Sequence, residues 1–334
     1  MKLGVNLTTG YDDTSRFRDT EDLSSFLETL DGVELMCLDE PDKGLVTPKQ
    51  VLGLHMSSYY NWLDFWEGNE EGFVHDFGSV EAAESFFGGT SRQTIVDRYR
   101  KDLENAHRYE AEYVVFHVTD AWTEEFFTLT YHRSDEEVLE VAAEVINQVF
   151  ADEDGSLALL MENLWYPGLN FMRPELAMDL LQSIDYSNAG FMLDTGHLLH
   201  TNLDLKSEQD GIDYLHEVVD RMESIDTLLD RIRGIHLHQS ITGSYAKSVM
   251  ANPPVLSRDL AERSGQVFRH AFTIDQHRPF SCPEVAKVVK RIAPDYLVNE
   301  FITESREELQ WALHTQMAAL REGGLEWEKD SFWT

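Results

Sequence analysis

The sequence predicts an α/β chain folded as a (β/α)8 barrel, and three observations lead there. Eight short runs rich in apolar and β-branched residues recur along the 334 residues. Amphipathic helical patterns lie between most of them, the arrangement that joins parallel strands by crossovers. The first run leads into LTTGYDD rather than a glycine-rich phosphate turn, which disfavours the competing open doubly wound sheet. Eight is the strand count that closes such a barrel.

In order, the runs are KLGVNL (2–7), GVELMCL (32–38), VLGLHMS (51–57), YVVFHVT (113–119), LALLMEN (157–163), AGFMLDT (189–195), IRGIHLHQS (232–240) and DYLVNEF (295–301). Each is too short for a helix of ordinary length and carries the continuous apolar character of a strand covered on both faces. Helices are expected at 97–111, 135–151, 174–184, 214–232 and 306–322, where apolar residues recur every three or four positions among charged ones. Residues 1–322 are taken as one barrel domain and 323–334 as a polar tail holding two tryptophans, frayed or docked on a neighbour.

Two connections are far longer than a usual turn. Residues 58–90 follow the third strand and are crowded with aromatics, and 240–272 follow the seventh. In a barrel both sit on the C-terminal face, where active sites are built. They are expected to be inserted loops that wall or cover a substrate, with Trp62, Trp66 and Trp165 as candidate stacking residues.

The charge balance narrows the partners. Lys+Arg 27 against Asp+Glu 61 leaves −34, a field that repels phosphate backbones, so nucleic acid is disfavoured and a small molecule favoured. The two cysteines, Cys37 and Cys282, do not make a disulfide framework. No run of 18 apolar residues exists and the N-terminus lacks a signal-peptide core, so the expectation is a cytoplasmic protein with no membrane span. A homo-oligomer is compatible with all of this.

Chemistry-bearing residues collect at strand ends. The third run ends near His55 and the fourth near His117. Glu162 closes the fifth, and Asp194 the sixth, with His197 three residues on. His236 and His238 lie on the seventh run and Glu300 on the eighth, and Asp275 and His277 follow the second insertion. Taken singly, each has an ordinary structural reading. A histidine can be a hydrogen-bonded core residue, and Asp194 can cap the helix that follows it. Together they put several carboxylates at one barrel mouth after apolar runs, where unpaired charge is costly. A bound cation resolves that conflict, and the mixed oxygen and imidazole donors suit Zn²⁺ or Mn²⁺.

The stretches GLHMS, VVFHV, LLMENLW, MLDTGHL, GIHLHQS, IDQH and VNEF resemble the xylose isomerase-like TIM-barrel superfamily, in particular its endonuclease IV branch (AP endonuclease family 2). The resemblance implies a nine-residue set holding up to three metal ions: His55, His117, Glu162, Asp194, His197, His236, Asp275, His277 and Glu300. It implies that Glu162 bridges two ions and that His197, Asp275 and His277 hold one together. The chain departs from the family in its acidic, aromatic loops and in His238, where relatives often carry Asn or Lys. On a strand His238 shares a face with His236 and competes with it as ligand, or else contacts substrate.

Two enzymatic readings and one non-catalytic reading follow. In the first, a cluster of up to three divalent metals hydrolyses a small, non-polymeric phosphoester. In the second, a sugar or sugar phosphate is isomerised or epimerised with one metal, Glu162 and Glu300 serving as acid and base. The third is a metal-binding scaffold without activity. The complete set of nine favours the first, because isomerisation gives no reason to keep His55, His117, Asp275 and His277 together.

Overall fold

The computed structural model describes residues 1–38 and 44–327. Eight parallel strands close into a barrel in chain order: β1 Lys2–Thr8, β2 Gly32–Met36, β3 Val51–His55, β4 Tyr113–His117, β5 Ala158–Glu162, β6 Ala189–Asp194, β7 Ile232–Leu237 and β8 Tyr296–Asn299. β1 pairs with both β2 and β8, so no edge strand is left open. Every predicted strand is present; β1 runs one residue further than expected, and the others are shortened where the chain turns into the loops of the barrel.

Side chains alternate between two cores. Leu52, Tyr113, Val115, Ala158, Leu160, Met192, Tyr296 and Val298 fill the barrel interior. The opposite faces of the strands pack under the helices in a larger core that includes Val114, Phe116, Leu159, Phe191 and Leu193. This two-sided burial is why the strands read as continuous apolar runs rather than alternating ones.

The helices Gln93–Arg108, Asp135–Val149, Pro174–Ser183 and Arg306–Glu322 lie close to their expected positions. The helix expected over 214–232 differs. It begins earlier, at Glu208, where Ser207 and Asp210 form a capping box, and it ends at Glu223. A separate turn of helix, Leu228–Arg231, follows Thr227, whose φ of 63° breaks the helical path.

Both expected loops are helical. The first holds the helices Leu63–Glu67, Glu70–Phe77 and Val80–Phe87, stopped at Gly68, Gly78 and Gly88, all left-handed. Their aromatic residues form a small core: Phe65 stacks on Phe87 at 4.2 Å, and Phe77 and Tyr59 close around the same ring. The Asp120 carboxylate anchors this insertion by accepting from the Trp62 and Leu63 backbone N–H groups at 2.7 and 3.0 Å. The second insertion holds Gly243–Ala251 and Leu260–Ile274. Its Val249, Leu256 and Val267 pack on Ala121, Phe126, Phe127, Leu164 and Tyr166 of the neighbouring loops. Arg263 reaches the Asp76 carbonyl and ties the two insertions together.

In the tail, Leu325 and Trp327 are buried, and residues 328–334, including its second tryptophan, lie outside the described residues. Cys37 and Cys282 are partly buried and are not joined in a disulfide. No helix among the described residues is long and apolar enough to cross a membrane.

Candidate metal centre

The parallel strands bring their C-terminal ends to one mouth, and the nine strand-end residues meet there. Four groups of side chains lie close enough to share an ion: His55–His117–Glu162; Glu162–Asp194–His236–Glu300; His197–Asp275–His277; and His238–His277–Glu300. Glu162 belongs to the first two. It is fully buried, and its Oε2 lies 3.3 Å from His55 Nε2 and 3.1 Å from His117 Nε2. Its Oε1 lies 3.2 Å from His236 Nδ1.

Neighbouring groups fix the orientation of the imidazoles. His55 Nδ1–H donates to the Met56 carbonyl at 2.9 Å, which turns Nε2 toward Glu162. His197 Nδ1–H donates to the Asn163 carbonyl at 2.9 Å, which leaves Nε2 facing Asp275 Oδ2 at 3.2 Å. His236 Nε2–H donates to Glu34, so Nδ1 looks toward Glu162, Glu300 at 3.4 Å and Asp194 at 3.7 Å. A histidine whose far nitrogen is bonded to a carbonyl or carboxylate is the usual form of a metal ligand.

The Asp194-Thr195-Gly196-His197 turn is specified at every position. Asp194 caps the helix Thr195–His200 by accepting from the His197 N–H at 2.6 Å. The Thr195 hydroxyl bonds the carbonyls of His236 and His238 and so ties β6 to β7. A Cβ on Gly196 would lie 1.9 Å from His238 Cε1, so only glycine leaves room for that ring. His238 uses the space to donate Nε2–H to Asp194 Oδ2 at 2.9 Å.

Ring geometry separates the groups. His238 and His277 are stacked 3.9 Å apart and 5° from parallel. Nitrogen lone pairs lie in the ring plane, so one ion cannot be in line with both. His197 and His277 are 83° apart, and His55 and His117 87°, which lets their lone pairs converge. His277 itself has a φ of 45°, an uncommon conformation for a non-glycine residue and one that recurs at functional sites. The Ser240 hydroxyl holds it there, donating to Asp275 Oδ1 at 2.8 Å and accepting from the Gln276 and His277 N–H groups.

The donor set fits a cation. Both Glu162 oxygens, Glu300 Oε2, and the Nδ1 atoms of His117, His236 and His277 are buried without a well-aligned hydrogen-bond partner. Leaving one buried polar atom so is expensive, and here several point into the same small volume. Burial opposes charge on the imidazoles, yet the carboxylates overcome it: His55 and His277 are pushed up to about 9, and His197 and His236 stand well above the usual value. At His117 burial prevails and the pKa falls. Burial raises Glu300, while the surrounding imidazoles hold Glu162 and Asp275 far below the carboxylate range in spite of burial.

Two expected substrate contacts are placed elsewhere. Trp62 and Trp66 are only 1% and 3% exposed, and their indole N–H groups bond the Thr119 carbonyl and Glu144. They belong to the packing of the first insertion because their rings fill the gap between it and the barrel wall. Trp165 does stand at the mouth, 5.1 Å from His197 and 4.5 Å from His200. Sequence reasoning passed over Glu34, Tyr60, Asn163, His200 and Ser240. Tyr60 is 38% exposed with its ring 6.4 Å from His117, and His200 Nε2 is 3.5 Å from Asp275 Oδ1. Of these only Glu34 carries a signal, an acid inside an apolar strand.

Comparison with known proteins agrees with this architecture. The fold is similar to that of a D-tagatose 3-epimerase-like protein (TM-score 0.52, 16% identity, 97% of this chain and 99% of that one). It is equally similar to endonuclease IV from Thermus thermophilus (TM-score 0.53, 17% identity, 96% and 100%). At these identities the likeness is one of fold. No curated protein matches the sequence. Residues 84–320, most of the chain, match the model of the xylose isomerase-like TIM barrel family, and the chain belongs to that family.

Proposed function

We propose that the protein is a metal-dependent hydrolase of a small, non-polymeric phosphoester, with nine side chains holding three divalent cations, Zn²⁺ or Mn²⁺. The observation that carries this reading is that three of the four donor groups at the mouth take in all nine side chains, two of the three being joined through Glu162. A one-metal proton transfer would need only Glu162, Asp194, His236 and Glu300, with His197 beside the substrate. His55 and His117 on one side, and Asp275 and His277 on the other, would then be polar groups with no task.

Divalent cations held there would activate a water and neutralise charge on the phosphoryl oxygens. The chain's own residues do the rest. Glu162 keeps the two groups in register through its two oxygens. Glu300, the more accessible of the two glutamates, would close the central group at the mouth as a deprotonated ligand, beside the place where a leaving oxygen departs. Trp165 and Tyr60 provide aromatic surface beside His197 and His117, where the organic part of a substrate can stack. The net charge of −34 disfavours polymeric nucleic acid, and a cation cluster attracts a small phosphoester through its own local field.

The second reading, isomerisation or epimerisation of a sugar or sugar phosphate, is favoured by one observation. The group Glu162–Asp194–His236–Glu300 is complete by itself. Metal stoichiometry by mass spectrometry, on protein purified without chelator or nickel, separates the two. About three ions per chain and release of phosphate from a phosphomonoester and phosphodiester panel support hydrolysis. One ion, with activity on ketoses, replaces it by isomerisation.

A further inference from the structure

Below the mouth lies a buried acid that is not itself one of the cation-group side chains. Glu34, on β2, is 1% exposed in the barrel interior. Its Oε2 accepts from the Tyr113 hydroxyl at 2.8 Å, and its two oxygens lie 2.9 and 3.1 Å from His236 Nε2, across the barrel on β7. The contact requires Gly53. β2 registers Glu34 beside Gly53, and β3 registers Gly53 beside Tyr113. A Cβ on Gly53 would lie 2.1 Å from the tyrosine ring, so glycine alone lets Tyr113 cross the interior to Glu34.

We infer that Glu34 is the positioning residue of the central cation group, acting through His236. A neutral imidazole has one N–H and one lone pair. With Nε2–H committed to Glu34, the lone pair is on Nδ1, the atom that faces Glu162, Asp194 and Glu300 and has no hydrogen-bond partner. Both oxygens of Glu34 contact the same nitrogen, which sets the tilt of the ring as well as its tautomer, and Tyr113 stops the carboxylate from rotating away. A carboxylate behind a histidine also strengthens that histidine as a donor. His55 and His197 lean on backbone carbonyls instead, so of these three histidines only His236, in the group with Asp194 and Glu300, has the stronger arrangement.

The inference rests on the proposed cation groups, and the test separates the two. Chelator-treated wild-type protein, Glu34→Gln and Tyr113→Phe are titrated with zinc against a chromophoric competitor. One zinc equivalent of Glu34→Gln should weaken by about 10- to 100-fold with the other two unchanged, while Tyr113→Phe stays within about threefold of wild type. Wild-type affinity at all equivalents of Glu34→Gln would overturn the role of Glu34 and leave the metal centre standing. An equal loss in Tyr113→Phe, which keeps the ring and its packing, would pass the positioning role to the tyrosine hydroxyl and overturn its assignment to Glu34. A wild-type protein that takes up no zinc would remove the metal centre, and this inference with it. If Glu34→Gln does not fold, imidazole ¹⁵N spectra of the zinc-loaded wild-type protein decide. His236 protonated at Nε2 supports the role, and protonation at Nδ1 overturns it.

Discussion

Replacing Glu162 by Gln tests the central claim, because this one side chain belongs to two of the cation groups and not to the third. The amide is nearly isosteric, but it removes the charge and turns one oxygen into an N–H donor that faces histidine nitrogens at 3.1–3.3 Å. Zinc content should therefore fall from three ions per chain to one, the survivor held by His197, Asp275 and His277. Thermal unfolding gives the same answer independently. Each site filled at a hundred times its dissociation constant adds about 2.7 kcal/mol to stability. Unfolding 334 residues carries an entropy of roughly 0.7 kcal/mol per kelvin, so each filled site raises Tm by about 4 °C. Zinc should lift the wild-type protein by about 12 °C and Glu162→Gln by about 4 °C. The assays are mass spectrometry for stoichiometry and scanning calorimetry with and without zinc. A variant that keeps three ions, or one that loses the third together with the other two, would refute the assignment of Glu162.

Four further outcomes are expected. Gly196→Ala puts a Cβ against His238, which must leave Asp194; a stability loss of about 1–3 kcal/mol and weaker uptake of one zinc should appear in denaturation and chelator competition. Zinc binding should release protons at neutral pH and tighten as pH rises toward about 9, because His55 and His277 must lose the protons the surrounding carboxylates hold on them; calorimetry in buffers of different ionisation enthalpy counts those protons. Trp62→Ala should cost about 3–5 kcal/mol of stability in urea unfolding and leave zinc stoichiometry at the wild-type value, since the ring is core and not binding surface. Burial raises the Asp120 carboxyl to about 7 against two backbone donors, so the folded state keeps a proton that the unfolded chain sheds near 4. Its contribution is therefore greatest below pH 4 and is lost as pH rises to 7. Asp120→Asn should gain roughly 4 kcal/mol relative to wild type between pH 4 and pH 8, measured by chemical denaturation.

The barrel was legible because its strands are buried on both faces and their apolar runs stand out from the charged helices. The gathering of His, Asp and Glu at the mouth was legible for a related reason: at the ends of such runs these residues are out of place unless they share a task. Glu34 escaped notice because it lies inside a strand rather than at its end, and its partners, Tyr113 and His236, are 79 and 202 residues away. The helices of the first insertion read as a loop because they are 5–8 residues long and each stops at a glycine, too short for a helical period to show. Trp62 and Trp66 looked like a substrate wall on composition alone. Whether an aromatic ring faces a cleft or fills a gap is settled by tertiary packing, which local sequence does not carry.

The neck of the second insertion has a consequence for how this mouth can change over time. Residues 241–274 leave the barrel and return to it through a short set of bonds. Ser240 holds Asp275, the Thr242 hydroxyl holds the Ile274 carbonyl, and Gln239 and Arg278 exchange backbone hydrogen bonds at 2.8 and 3.0 Å. The excursion is thus closed off from the ligands it introduces. Mutation, lengthening or wholesale exchange of its two helices can reshape what reaches the mouth while Asp275 and His277 stay fixed by the neck. Under the proposed function, the segments that select a substrate and those that hold the cations would then be separable, and the first could vary at little risk to the second.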